Sequence, residues 1–489
     1  MLHIHNTATR KKDPFTPLKP DLVSMYTCGL TVYDLAHIGN LRAYTMSDSI
    51  RRSLEYLGFT VKQVQNFTDV GHMSLTDEQK AQLQGQNPEV TDSDTGIDKM
   101  EKAVKRTGLS PEKVAEHYIA EAMRDFSEMN FLEPHHRPRA TEYIAEQIEM
   151  IKTLLQKGYS YVTPSAVYFD TSRLERYSCL TRQAQEDKQV GVREEVEVDP
   201  DKRHPADFRL WQLDQHAHAL QWESPWGKGF PGWHIECSAM AACLLGDTID
   251  IHTGGRDLIC PHHENEIAQS ESATGKQFVN YWYHNEMLLV DGRKMSKSLG
   301  NFYTLRDVEE KGFWGLDLRY FYLTANFRVQ QNFTWEGVEA ANTARMKLMK
   351  IVWNLQEEVT TTKIEEAGEY NKENPYTAEF TRAVEDSFNM PDALATVWKV
   401  TGDKTIPAAR KLALLYSFDT VLGLRLSELT EKKTDVPAEL RNKLESIIQR
   451  RTEAKATKDF ATADKLREEA QELGFELVDT PEGTEYRSI

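Results

Sequence analysis

Two stretches of the chain alternate strand and helix in the manner of a parallel sheet, and they lie far apart. In the first, Leu22 to Thr27 is a short apolar run rich in strand formers, punctuated by Cys28-Gly29. Ala43, Met46, Ile50, Leu54 and Leu57 follow at helical spacing. Gly58 fits the position just past a helix end, and Thr60 to Phe67 reads as a second strand. Such a strand–helix–strand unit begins a parallel α/β sheet. In the second stretch, Thr248 to His252 is a strand that runs into Gly254-Gly255. A helix is expected to start at Pro261, because proline suits the first helical position. One α/β domain split by an insertion explains this pattern better than two separate domains.

The intervening and following segments are of other kinds. Residues 74–96 are polar, contain Gly85, Pro88 and Gly96, and read as a loop or insertion. Ser110 to Lys157 has a helical pattern, closed by Gly158 and a strand-like Tyr159 to Val162. Glu186 to Asp201 is acidic with alternating valines, which suggests a solvent-facing β hairpin. Phe230-Pro231-Gly232 precedes an expected helix from Trp233 to Leu245, ended by Gly246. Residues 356–379 hold seven acids against two lysines and read as a linker or exposed connection. Thr381 to Ala470 reads as helical, and Phe475 to Arg487 is a short last piece with turn residues Pro481 and Gly483.

Composition narrows the class. At 489 residues the chain has room for roughly three domains. Its net charge of −17 argues against a uniformly basic nucleic-acid binder, but not against a local basic stripe. Between Arg441 and Arg467 there are eight Lys or Arg and four acids, and such a helical stretch can follow phosphates. No run approaches a membrane span, and Met1 to His5 lacks a secretory apolar stretch, so a cytoplasmic address is expected. The five cysteines (Cys28, Cys179, Cys237, Cys243 and Cys260) are too sparse for a disulfide framework.

Three groups of residues carry chemistry. His37-Ile38-Gly39-Asn40 sits between a strand and a helix, where backbone N–H groups face anions. Lys294-Met295-Ser296-Lys297-Ser298 places two lysines on a turn that can stabilise transition-state oxygens of a triphosphate. Taken singly, each also reads as an ordinary loop. The third group is Cys28, Cys237, His262 and Glu266; the last two are four apart and share a helix face. Two thiolates, an imidazole and a carboxylate make a plausible tetrahedral Zn²⁺ set. His263 and His234 are rival imidazoles by spacing.

A His-Ile-Gly element after an early strand, paired with a Lys-Met-Ser-Lys-Ser loop late in the same α/β domain, resembles the class I aminoacyl-tRNA synthetases. Met25 to Asp34, Gly232 to Met240 and Asp257 to Ala268 are similar to signature segments of the cysteinyl-tRNA synthetase family. The resemblance continues through Pro138 to Thr141, Lys202 to Trp211 and Asp459 to Arg487. It implies a Rossmann-like parallel-sheet catalytic domain with an inserted connective region, followed by an α-helical anticodon-binding domain. The boundaries expected are 1–110 and 226–310 for the two catalytic halves, 111–225 for the insertion, 311–380 for stem-contact helices and linker, and 381–489 for the C-terminal domain.

The same resemblance implies a reaction and its residues. L-cysteine and ATP would give cysteinyl-adenylate, and the cysteinyl group would pass to the 3′ end of tRNA(Cys). Catalytic positions are His37, Asn40, Lys294 and Lys297; ATP binding adds Gly39 and Asp257; cysteine binding falls on Gly29, Thr68 and Trp233. Trp233 reads equally as a core indole, and Asp257 as an orienter of the His262 helix. The family carries zinc ligands at the positions of Cys28, Cys237, His262 and Glu266, one ion per chain, with Mg²⁺ accompanying ATP. The other three cysteines are left as packing residues.

Zinc would separate cysteine from the nearly isosteric serine, because a soft metal prefers thiolate to hydroxyl. The resemblance implies a monomer, and no membrane partner is expected. Two departures stand out: Asn40 replaces the family's usual His, and Val70-Gly71-His72-Met73 replaces an acidic run. Tyr486 stands where the family often has Trp, and either ring can stack on a base. Rival readings are a cysteine ligase acting on a small amine, as in mycothiol synthesis, and a degenerate relative that only binds RNA or a partner. The Asp459 to Arg487 segment opposes the first, and the intact metal and lysine-loop residues oppose the second.

Overall fold

The computed structural model describes residues 1–70, 73–74, 97–175, 177, 180, 201–213, 220–296, 299–359, 364, 374–428, 438–457, 459–480 and 483–488. Its centre is a four-stranded parallel sheet. In chain order the parts are β1 (Leu22–Thr31), α1 (Ile38–Tyr56), β2 (Thr60–Thr68), α2 (Trp233–Leu245), β3 (Ile249–Gly255), α3 (Glu264–Thr274) and β4 (Val279–Asn285). The strand order is β4-β3-β1-β2. The chain leaves β1 for β2 on one side, and leaves β3 for β4 on the other. A crevice therefore opens between β1 and β3 at their carboxyl ends, the place where open α/β sheets take ligands.

Local chemistry sets these elements. His37 and Asn40 form a reciprocal cap on α1: His37 Nδ1 accepts from the Asn40 amide, and Asn40 Oδ1 accepts from the His37 amide, each at 3.1 Å. Gly58, at φ +95°, lets the chain turn out of α1 into β2. The apolar faces meet around Tyr26, Val64, Met240, Ile249, Phe278 and Trp282. Residues 186–200 of the expected hairpin and 75–96 lie outside the described residues.

The segment Ser110 to Lys157, expected to be helical, holds two helices, Pro111–Glu128 and Ile144–Gln156, with a non-helical stretch between them. Asn130 turns at φ +53°, and the chain then runs beside β2. The Gln65 amide donates to His136 O at 3.0 Å and the Phe67 amide to Pro138 O at 2.8 Å. Pro134 and Pro138 exclude helix here, and the open edge of β2 supplies hydrogen bonds instead. The stretch between β2 and α2 also holds a four-stranded antiparallel sheet, ordered Gly229–Pro231, Phe208–Leu213, Ala166–Phe169 and Ser160–Val162.

The chain divides into two compact units, Met1–Leu426 and Ser427–Ile489. Helices Pro375–Glu385, Met390–Gly402 and Ala408–Leu422 belong to the first. A buried network ties α1 to the helix Gly315–Leu323 there: Arg319 reaches Asp48 and the carbonyl of Leu422, and Arg52 bonds Asp48 at 2.7 Å. The second unit has helices Ala438–Ala456 and Phe460–Glu472 and the hairpin Phe475–Thr480/Gly483–Ser488. Their core is Leu444, Ile447, Leu466, Ala470, Phe475 and Leu477. Arg451, one of the basic residues of the 441–467 stretch, is buried and donates to Thr484 Oγ1 at 3.3 Å. Among the described residues no helix is long and apolar enough to cross a membrane.

Candidate active site

At Thr27/Leu30 the pairing of β1 with β2 shifts register, a bulge centred on Cys28-Gly29. A Cβ on Gly29 would fall 1.4 Å from Asn66 O, so only glycine allows this approach. The bulge sends Cys28 into the crevice. Cys237 comes from the second turn of α2, and His262, His263 and Glu266 from the turn and helix that follow β3. All are buried. The helix expected at Pro261 becomes regular only at Glu264, because Cys260 is extended at φ −132°, ψ 127°.

The four residues expected to hold a metal lie in one crevice, but Cys237 is outside the group whose donor atoms all come within 4.8 Å of one another. Cys28 Sγ lies 4.0 Å from Cys237 Sγ and 3.6 Å from Glu266 Oε1. His262 Nε2 is 2.9 Å from Glu266 Oε1, and Cys237 and His262 are hydrogen-bonded. Two sulfurs on one tetrahedral zinc, each about 2.3 Å from it, sit about 3.8 Å apart, so the thiols need only a small adjustment. The rival His263 is also present, its Nε2 3.3 Å from Cys28 Sγ. Cys28, His262, His263 and Glu266 place one donor atom each within 4.8 Å of one another. His234 is set back, its Nδ1 3.0 Å from His262 Nδ1.

Protons are distributed unevenly here. Burial raises the Cys28 thiol well above its ordinary value. The hydrogen bond with Cys28 brings Cys237 down to about 6. Burial pushes Glu266 up, but the charges of His252 and His262 win and hold it at about 2. Burial and the neighbouring imidazoles keep His263 neutral. Burial opposes the His262 charge, but Glu266 and Cys237 raise it to about 10. Cys237 and Glu266 are thus ready as anionic donors, whereas Cys28 and His262 would each release a proton on taking up a metal; the donor types fit zinc.

Several partners of this cluster were not apparent from spacing. His252 Nε2 binds Glu266 Oε2 at 3.1 Å, leaving Oε1 toward the thiols. His284 Nε2 binds His263 Nδ1 at 2.7 Å. The available signal was a histidine within each of two strands that are buried along most of their length. Asn66 Oδ1 accepts from the Gly29 amide at 2.9 Å, and its Nδ2 donates to Thr68 Oγ1 at 3.2 Å. Thr68 in turn donates to Glu236 Oε2 at 3.0 Å. Thr68 is thus at the site, held from two sides. Trp233 stacks on His262, ring centres 4.4 Å apart, so the indole belongs to the site and not to a distant core.

The two loop motifs also meet. A Cβ on Gly39 would lie 2.9 Å from the His37 ring and 3.1 Å from Met295 Cε. Lys294 follows a two-residue turn, Asp291-Gly292, with both φ positive, which returns the chain along Leu288–Val290. Asn301 closes the lysine loop by accepting from the Ser296 amide at 2.8 Å and donating to Lys294 O at 3.1 Å. Asn40 spends its oxygen on the α1 cap. Gly255 leaves room for the Asp257 carboxylate, whose oxygen would be 2.3 Å from a Cβ there. Lys297 lies outside the described residues. Of the cysteines assigned to packing, Cys243 and Cys260 are exposed, because neither faces the sheet, and Cys179 lies outside the described residues.

Residues 14–343 match the family model described as the tRNA synthetases class I (C) catalytic domain. Over 487 residues the chain is 42% identical to cysteine–tRNA ligase 1 of Burkholderia lata, covering 99% of this chain and 96% of that protein. Methionyl-tRNA synthetase of Mycobacterium tuberculosis bound by methionyl-adenylate superposes with a TM-score of 0.52 at 14% identity, over 84% of this chain and 90% of that one. The leucyl enzyme of Agrobacterium radiobacter K84, in its ternary complex with tRNA, gives 0.57 at 12% identity over 85% of each chain. At such identities these two establish the fold alone. A class I fold with two thiols, imidazoles and a carboxylate at its switch point thus meets a full-length sequence match, and the chain belongs to the cysteine–tRNA ligase family.

Proposed function

We propose that the protein activates L-cysteine with ATP and transfers the cysteinyl group to the 3′ end of tRNA(Cys). The observation that carries the substrate choice is the meeting of Cys28, Cys237, His262 and Glu266 in the β1/β3 crevice. These four would hold one Zn²⁺. When bound, the ion supplies a preference for thiolate over hydroxyl and favours ionisation of a thiol. His252 fixes the ligand face of Glu266, and Asn66 with Glu236 orients the Thr68 hydroxyl beside it.

In the first step the cysteine carboxylate attacks the α-phosphorus, and the bond to pyrophosphate breaks. His37, at the start of α1, and Asn40 hold phosphates, helped by the positive end of the helix. Lys294 and Lys297 neutralise charge growing on the phosphate oxygens, Asp257 takes the ribose, and Mg²⁺ accompanies ATP. In the second step a 3′-terminal hydroxyl of tRNA attacks the acyl carbon and AMP leaves. The protein acts in the cytoplasm as a monomer.

His263 offers a second ligand set, favoured by its 3.3 Å approach to Cys28 Sγ. Zinc content of His262→Ala and His263→Ala separates the two. The reaction is tested by cysteine-dependent charging of tRNA(Cys). Charging is expected; adenylate formation with transfer only to a small amine would overturn the assignment.

A further inference from the structure

The lysine loop is anchored at its C-terminal end by residues that follow its signature. After Asn301 the chain packs on the start of α1: Phe302 meets the His37 ring edge-on at 5.1 Å, and the Ile38 amide donates to Tyr303 O at 2.9 Å. The short helix Leu305–Glu310 begins immediately afterwards, capped by Thr304. It carries Arg306 and Glu309, which pair with Glu121 and Arg124 of the helix Pro111–Glu128. The two pairs are reciprocal, acid then base on one helix and base then acid on the other.

We propose that Glu121–Arg306 and Arg124–Glu309 are positioning residues for adenylate formation, holding the stem of the lysine loop in register against His37. The proposal rests on the reading above that Lys294 and Lys297 act on the triphosphate. Partly exposed ion pairs of this kind add little stability, about 0–1 kcal/mol each. Their reciprocal order does something else. Moving either helix by one turn sets like charges opposite each other, so the pairs select one register. A register error at the stem displaces Asn301, which closes the loop on Lys294, and Phe302, which packs on His37. Misplacement of about an ångström costs about a hundredfold in rate.

The test is ATP–pyrophosphate exchange on the full zinc-loaded enzyme, comparing wild type, Arg306→Glu, Arg306→Gln, and the charge-swapped double variant Glu121→Arg/Arg306→Glu. Arg306→Glu should lower kcat of exchange at least tenfold. Zinc content, the KM for cysteine and the thermal midpoint should stay near wild type. Arg306→Gln should fall between, and remains informative if the reversal does not fold. The charge swap should recover at least half of the lost kcat, which a merely structural role would not require. Wild-type kcat in Arg306→Glu or Arg306→Gln, or a swap that restores folding but not kcat, would overturn the proposal. Lys294→Ala, run alongside, separates the two ideas. Normal exchange in that variant removes the reading of the loop itself; impaired exchange there beside normal exchange in the Arg306 variants removes only the positioning role.

Discussion

Cys28 and Cys237, 209 residues apart in the chain, bring their sulfur atoms to 4.0 Å of each other. One leaves the end of β1 through a bulge that only glycine permits, and the other sits on α2, beyond the whole insertion. Two buried thiols this close, beside an ionised carboxylate, make a cation site whose loss should be visible without any assay of turnover. Cys28→Ala and Cys237→Ala should each abolish stoichiometric zinc, measured by elemental analysis of the purified protein. Stoichiometric zinc in both would contradict the ligand set.

His252 acts on the metal through Glu266. Removing such a supporting partner weakens metal binding by about 10–100-fold. His252→Ala should show this in competition with a zinc chelator, while its melting curve with saturating zinc stays near that of the wild type. Unchanged affinity would mean that Glu266 is oriented by something else.

Gly39 separates His37 from Met295. Gly39→Ala inserts a carbon 2.9 Å from the imidazole and 3.1 Å from the methionine methyl. Pyrophosphate exchange should fall about a hundredfold, with zinc content intact. Normal exchange would show that the two motifs need not touch.

Much of this was legible in the sequence, and the remainder was not for identifiable reasons. β1, α1, β2 and α2 follow from apolar periodicity and glycine punctuation, and they appear within a few residues of expectation. The motif pair pointed to the class I fold. The 131–139 segment was misread because helical spacing on either side masked two prolines, and because the open edge of β2 is a tertiary feature. His252 acts on Glu266, Asn66 on Gly29 and Glu236 on Thr68, all distant in sequence, and no spacing rule reaches them. Cys243 and Cys260 turned out exposed because residue type alone does not say which helix face or turn a thiol occupies.

Arg319 and Asp48 form a fully buried pair whose members cannot be removed singly without cost. Burial opposes the Asp48 charge, but Arg319 and Arg52 still hold its carboxyl below the usual range. Arg319→Ala should destabilise the protein by up to about 3–5 kcal/mol, because it leaves Arg52 as the one guanidinium on the buried Asp48 carboxylate. The urea midpoint reads this. A double Asp48→Ala/Arg319→Met variant should be less damaged than the two single changes predict in sum.

Asp125 carries the opposite linkage. Burial raises its carboxyl from 3.8 to about 7, with Glu309 and Glu121 adding to the rise and Arg124 and Arg306 opposing it. Between about pH 4 and pH 7 the folded protein holds a proton that the unfolded chain releases, so Asp125 makes stability fall as pH rises through that window. Asp125→Asn should flatten the fall, seen as a thermal midpoint that changes less between pH 4.5 and 7 than that of the wild type. An identical pH profile would show that Asp125 ionises normally.

On this reading the crevice selects cysteine through a metal held by Cys28, Cys237, His262 and Glu266. Zinc K-edge absorption of the purified enzyme, recorded without and with saturating cysteine, tests it most directly. Two sulfur neighbours around zinc are expected in the free enzyme and a third when cysteine is added, with serine producing no change. A sulfur count that cysteine leaves at two would contradict it.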